Sequence, residues 1–173
     1  AGVSLGRTFG IEMAKADPKV KIGLIPCAVG GTPIRRWQQN GDLYKAALKR
    51  AKIAQKDGVI KGILWHQGES DSGKEETAKI YEQQLHAMVN AWQWDLNGGD
   101  IPIVVGEMGR FYKRAKFKHV VDAALKALPS KVKHAAWVSA EGLNHKGDVV
   151  HFNATSYREF GKRYAAKMQT LMK

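Results

Sequence analysis

Apolar residues recur along this chain in two rhythms. In the first, Leu5, Phe9 and Met13 fall four apart between Ser4 and Ala16, with small Gly6 and Gly10 among them. That spacing predicts a helix packed closely against a neighbour and ended before Asp17 and Pro18. Gly41 to Ala54 sets Leu43, Ala47, Leu48, Ala51 and Ile53 on a helical stripe that stops at Asp57 and Gly58. Glu75 to Leu96 turns Ile80, Leu85, Met88, Val89, Trp92 and Leu96 to one broad face, with Asn97, Gly98 and Gly99 as the stop. Lys116 to Leu128 repeats the pattern through Phe117, Val120, Val121, Ala124 and Leu125, and Pro129 closes it. Asn153, a good N-cap, opens a last helix with Tyr157, Phe160, Tyr164, Met168 and Leu171 turned inward.

The second rhythm is the short dry run. Val20–Ile25, Ile60–Trp65, Ile101–Val105 and Ala135–Val138 are brief apolar stretches. They predict strands buried on both faces of a parallel sheet. Helices and strands alternate throughout, which calls for an α/β fold: a three-layer α/β/α, doubly wound parallel sheet. The chain opens on a helix, where such folds normally open on a strand.

Composition narrows the picture only a little. The 173 residues, 44% of them hydrophobic, suit a single compact domain over 1–173 with a real core. Twenty-eight Lys and Arg against 16 Asp and Glu give a net charge of +12, which permits attraction to acidic partners. The cations are spread over every helical segment with no aromatic-interleaved basic block, so a nucleic-acid partner is set aside for a solvated basic surface. No apolar run approaches membrane-spanning length. A chain that begins on Ala1 leaves room for an upstream export signal. The lone Cys27, among the apolar neighbours of LIPCAVG, reads as a buried small hydrophobe. The six histidines, at 66, 86, 119, 134, 145 and 151, show no zinc-site spacing, and no cofactor or metal is expected.

Candidate chemistry gathers where strands should end. After Trp65 come His66, Gln67, Glu69, Ser70 and Asp71, at the carboxyl end where open α/β sheets bind ligands. Gly30 and Gly31 follow the Val20–Ile25 run, either as a plain tight turn or as backbone N–H donors brought close to a ligand. Gln67 offers a side-chain amide donor at a second strand end. Asp148 and His151, in EGLNHKGDVVHFN, are spaced so that the carboxylate can bond the imidazole and fix its tautomer. By itself that spacing equally describes a polar loop with an incidental histidine. Glu69 reads as an orienting group for the Gln67 loop, accepting from backbone or Arg35. Arg35, Arg36 and Trp37 either line a ligand site, or the arginines are solvated and Trp37 packs; Trp92 and Trp94 read as core and surface. His66 shapes the pocket, and Glu141 and Asn144 border the cleft.

The blocks IPCAVGGTPIRRW, GILWHQGESD and GDVVHFNATSYREFGKRYA resemble the sialate O-acetylesterase-like (SASA) family, which includes carbohydrate esterase family six acetylxylan esterases, within the SGNH hydrolases. WHQGESD is specific to that family, and the match spans nearly the whole chain. The resemblance implies a flavodoxin-like SGNH fold and a serine carbohydrate acetylesterase acting on xylan-type or sialic-acid-type sugars. It casts Asp148 and His151 as acid and base of a triad, and Gly31 and Gln67 as oxyanion donors. Gly30, Arg35, His66 and Glu69 would line the substrate or support the site. The family's nucleophilic serine, in a Gly-Gln-Ser-Asn motif after the first strand, has no counterpart in these residues, and neither Ser4, Ser70 nor Ser139 matches it. The first strand and its serine are therefore expected from a second chain, from a cleaved and retained fragment, or to be replaced by homo-oligomerisation. Without that strand, which lies inside the sheet, the chain is expected to be poorly stable. The alternative reading is a non-catalytic carbohydrate-binding or assembly module of the same fold.

Overall fold

The computed structural model describes residues 3–97 and 101–173. Five helices and three strands alternate in it: α1 (Leu5–Ala16), α2 (Asp42–Ala54), β1 (Ile63–Trp65), α3 (Glu75–Asn97), β2 (Ile103–Gly106), α4 (Lys118–Lys131), β3 (Ala135–Val138) and α5 (Ala154–Leu171), with a 3-10 turn at Ile34–Trp37. The strands pair in parallel in the order β1-β2-β3, with Leu64 opposite Val104 and Val104 opposite Ala136. Side chains alternate across the sheet, as the period of two requires. Ile103 and Val105 join the core under α2, α3 and α4, while Val104, Ala136 and Val138 join that under α1 and α5. The result is the three-layer α/β/α arrangement that the alternation predicts.

The neighbour of α1 is α5. A Cβ on Gly161 would stand 2.5 Å from the Leu5 carbonyl and 2.8 Å from Thr8 Cβ, so α5 supplies the glycine that lets the two helices close. The Asn153 cap is present, its Oδ1 accepting from Ser156 N at 2.8 Å.

Several expectations fail at the edges of elements. Val20–Ile25 forms no strand: the segment has no ladder partner among the described residues, and Val20, Leu24 and Ile25 are 47%, 48% and 37% exposed. Ile22 and Cys27 pack on the two opposite cores, as a twice-buried strand would. What it lacks is a strand alongside, and the outer edge of β1 lacks one too among the described residues. Ile53 and Ile80 sit on the exposed side of their helices, and Ala78 and Tyr81 fill the inner face of α3 in place of Ile80. Pro129 lies inside α4, where its missing N–H costs one bond in the final turn and the helix runs on to Lys131. The expected stop of α3 at Gly98 and Gly99 lies outside the described residues.

Candidate active site

Asp148 and His151 lie at the tip of a hairpin that β3 feeds and α5 receives. Its stem is closed by Asn153 N donating to Asn144 O and Lys146 N to His151 O, both at 2.9 Å, and by Asn144 N donating to Ser156 Oγ at 2.7 Å. At the tip the Asp148 carboxylate accepts from Val150 N at 3.0 Å and His151 N at 2.8 Å through Oδ1, and from His151 Nδ1 at 2.6 Å through Oδ2. The ring hydrogen is thereby fixed on Nδ1, leaving Nε2 to take a proton. The His151 ring and the backbone N–H donors hold the Asp148 carboxyl far below the usual carboxylate range. The turn needs Val149 at φ 54°, a left-handed conformation that β-branched residues rarely adopt.

A second cluster stands at the end of β1. Gln67 Nε2 donates to Thr32 O at 3.0 Å and to Asp71 Oδ2 at 2.6 Å, and Gln67 Oε1 lies 3.0 Å from the Tyr81 hydroxyl. Asp71, only 2% exposed, also accepts from Ile34 N at 2.9 Å. Burial raises its carboxyl, and the Gln67 and Ile34 donors oppose that. Gln67 thus pins the Gly30–Gly31–Thr32 turn to the sheet. Both of its amide hydrogens are engaged there. Gly31 sits at φ 68° in that turn, with open space where a Cβ would point.

The two clusters meet through aromatic rings. His66, next to Gln67, packs 5.6 Å from Phe152, the neighbour of His151, and edge-on 5.4 Å from Phe160. Burial lowers its pKa, with Glu69 opposing, and Glu69 Oε1 lies 3.9 Å from His66 Nε2. Of the backbone or Arg35 bonds expected at the Glu69 carboxylate, neither forms among the described residues: Arg35 is exposed, and the Ser72 hydroxyl donates to the Glu69 backbone carbonyl at 2.9 Å. Arg36 pairs with Asp42. Trp37 is buried and donates to Thr32 Oγ1 at 3.0 Å; Trp92 is core and Trp94 surface, as read. Cys27 is half-buried, and burial pushes its thiol up. No serine hydroxyl bonds His151 among the described residues.

Three features escape the sequence reading. The first is Glu107, just beyond β2, which gathers Ala140 N at 2.7 Å, Ser139 Oγ at 3.0 Å and Arg110 Nε at 3.0 Å. With Arg163, which donates to the carbonyls of Ser139 and Glu141, it anchors the segment leading into the hairpin. The second is Tyr81, fully buried against Gln67. The third is a correction: residues 110–118, RFYKRAKFK, do interleave aromatic and basic side chains. A count of aromatics among cations would have flagged it.

The family model described as carbohydrate esterase, sialic acid-specific acetylesterase (SASA) matches residues 1–170. A probable carbohydrate esterase of Arabidopsis thaliana is 32% identical over 164 residues, 92% of this chain and 61% of the relative, so the chain spans about three fifths of that protein's length. An X-ray structure of an Arabidopsis thaliana protein superposes with a TM-score of 0.88 at 29% identity, covering 98% of this chain and 69% of the other. A carbohydrate acetylesterase of Xanthomonas citri superposes with a TM-score of 0.82 over 97% of this chain and 40% of its own, and at 19% identity that likeness shows the fold. With the matched residues running through all three blocks, the chain belongs to the SASA family of carbohydrate esterases.

Proposed function

We propose that this chain carries the acid–base half of a serine carbohydrate O-acetylesterase. The observation that carries the reading is the 2.6 Å bond between His151 Nδ1 and Asp148 Oδ2, with Nε2 left as the base, in a chain of this family. The nucleophilic serine comes from a segment outside residues 1–173. Two observations support that: no Gly-Gln-Ser-Asn motif occurs in the sequence, and the outer edge of β1 and the Val20–Val29 segment both lack a strand partner among the described residues. A parallel strand between them, from the same protein, a retained fragment or a second copy, would complete the sheet.

The reaction then runs as follows. His151 Nε2 takes the serine Oγ proton as Oγ bonds the acetyl carbonyl carbon. The Gly31 N–H donates to the resulting oxyanion, and Gln67 joins by turning one amide hydrogen from Thr32 O. His151 passes its proton to the departing sugar oxygen, leaving an acetyl-serine. Water, deprotonated by His151, releases acetate and restores the serine. No metal is needed at any step.

A non-catalytic sugar-binding module is the second reading. It is favoured by the engagement of both Gln67 hydrogens. Acetate release from acetylated oligosaccharides by the full-length protein decides between them. We expect His151→Ala to lower it about a thousandfold or more; equal release by both proteins would sink the esterase reading.

A further inference from the structure

The loop between β2 and α4 carries five cations in nine residues, Arg110, Lys113, Arg114, Lys116 and Lys118. Two are neutralised: Arg110 pairs with Glu107 and Glu141, and Lys118 with Asp122. Lys113, Arg114 and Lys116 are exposed and have no acidic partner among the described residues. The loop is held beside the catalytic hairpin, since Phe111 packs 5.3 Å from His145 and 5.1 Å from Phe152, the residue after His151. Lys146, on the hairpin itself, adds a further exposed cation 3.5 Å from Asp148.

We infer that Lys113, Arg114 and Lys116 form a cationic shelf beside His151 that binds the carboxylates of a polyuronate chain, so that the substrate is an acetylated acidic polysaccharide. This rests on the esterase reading for the word substrate, but the binding itself does not. Three free cations within four residues suit a ligand with a carboxylate on successive sugars better than a single acidic sugar. The aromatic residues of the loop decide against nucleic acid. Phe111 is spent on His145 and Phe152, and Phe117 packs into the core under α4 with Lys116 Nζ 5.5 Å over its ring. Half-buried Tyr112 is then the one ring of the loop left to stack on, short of the row of platforms that single-stranded nucleic acid uses. Exposed charges with so little stacking surface give orientation and salt-sensitive attraction, which is what a flexible polyanionic sugar needs.

The test measures calorimetric binding of unacetylated oligogalacturonate to the full-length protein. The variants are the triple Lys113→Gln, Arg114→Gln, Lys116→Gln and a control with equal charge loss on α2, Lys45→Gln, Lys49→Gln, Lys52→Gln. We expect the first triple to weaken binding about tenfold at low salt, on three exposed charge contacts, and the control to leave it within twofold. The difference should shrink at high salt. Hydrolysis of p-nitrophenyl acetate, a small neutral ester, should be the same in both triples. Loss of that hydrolysis in the wild type, with oligogalacturonate binding still dependent on the loop, would sink the esterase reading and leave the shelf. Equal weakening in both triples, equal affinity for monomeric galacturonate, or tighter loop-dependent binding of an oligonucleotide would overturn the shelf.

Discussion

The Asp148 carboxylate reaches the His151 ring at 2.6 Å across a turn in which Val149, between them, takes a left-handed backbone conformation. The turn that carries the acid and base is thus bought with local strain. Replacing Val149 by Gly removes roughly 1 kcal/mol of steric cost and adds roughly the same in unfolded-state freedom. We expect the Tm of Val149→Gly to lie within a few degrees of the wild type, by calorimetry; a fall of about 10 °C or more would mean that Val149 packs rather than strains.

Asp148→Asn tests the electrostatic half of the pair. The wild-type carboxyl is depressed by His151 and stays ionised wherever the protein is folded and assayed. Its contribution to stability is present above the ordinary carboxylate range and lost as pH falls through the depressed folded value. The variant should therefore lower the plateau rate of ester hydrolysis about a thousandfold. An intact plateau would contradict this.

Asp71 has the opposite sign. Burial raises its carboxyl, so its contribution is fully present below the unfolded value and lost as pH rises through the folded one. Because Ile34 N and Gln67 Nε2 share Oδ2, the amide oxygen of Asp71→Asn can accept both. Asp71→Asn should hold near wild-type stability at neutral pH, gaining relative to the wild type as pH rises from acid. Asp71→Ala, which orphans two donors, should lose about 2–4 kcal/mol. Denaturant titrations of the two variants across pH check it.

Glu107 acts on the hairpin from the end of β2. Although burial opposes it, the Ala140 N–H, Arg110 and Ser139 hold its carboxyl below the usual range. Its stabilising share is present above that range and lost on acidification. Glu107→Ala should lower kcat about tenfold or more, as displacement of a catalytic group by a remote change does, and Glu107→Gln, which keeps an acceptor for Ala140, should recover most of it. Equal kcat in both variants would show that the anchor is structural alone.

Much of this fold can be read from the chain, and the failures share a cause. Asn153 and the Asp148–His151 pair were legible because cap and turn are local: their partners lie three residues away. Val20–Ile25 failed because an apolar run says what a segment needs to bury, not whether a neighbour is there to pair with it. Ile53 and Ile80 failed because a helical stripe has a width that only packing decides. Glu107 was silent, since Ser139 and Ala140, the two groups through which it holds the hairpin's approach, lie 32 and 33 residues away, on the loop after another strand. The structural task of Gln67 was not legible: its contact to Thr32 spans 35 residues, and that contact makes it a pin.

If a strand completes the sheet beside β1, alternate backbone amides between Leu24 and Val29, Pro26 having none, should be protected from hydrogen exchange in the full-length protein, although Leu24, Ile25 and Val29 are exposed here. Exchange at unprotected rates would leave that edge open.

The most direct measurement is to react the full-length protein with a fluorophosphonate and map the labelled serine by mass spectrometry, wild type beside His151→Ala. One labelled serine outside residues 1–173, lost in the variant, is the predicted result. A label on Ser4, Ser70 or Ser139, or a label that persists without His151, would contradict the claim that Asp148 and His151 activate a serine supplied from elsewhere.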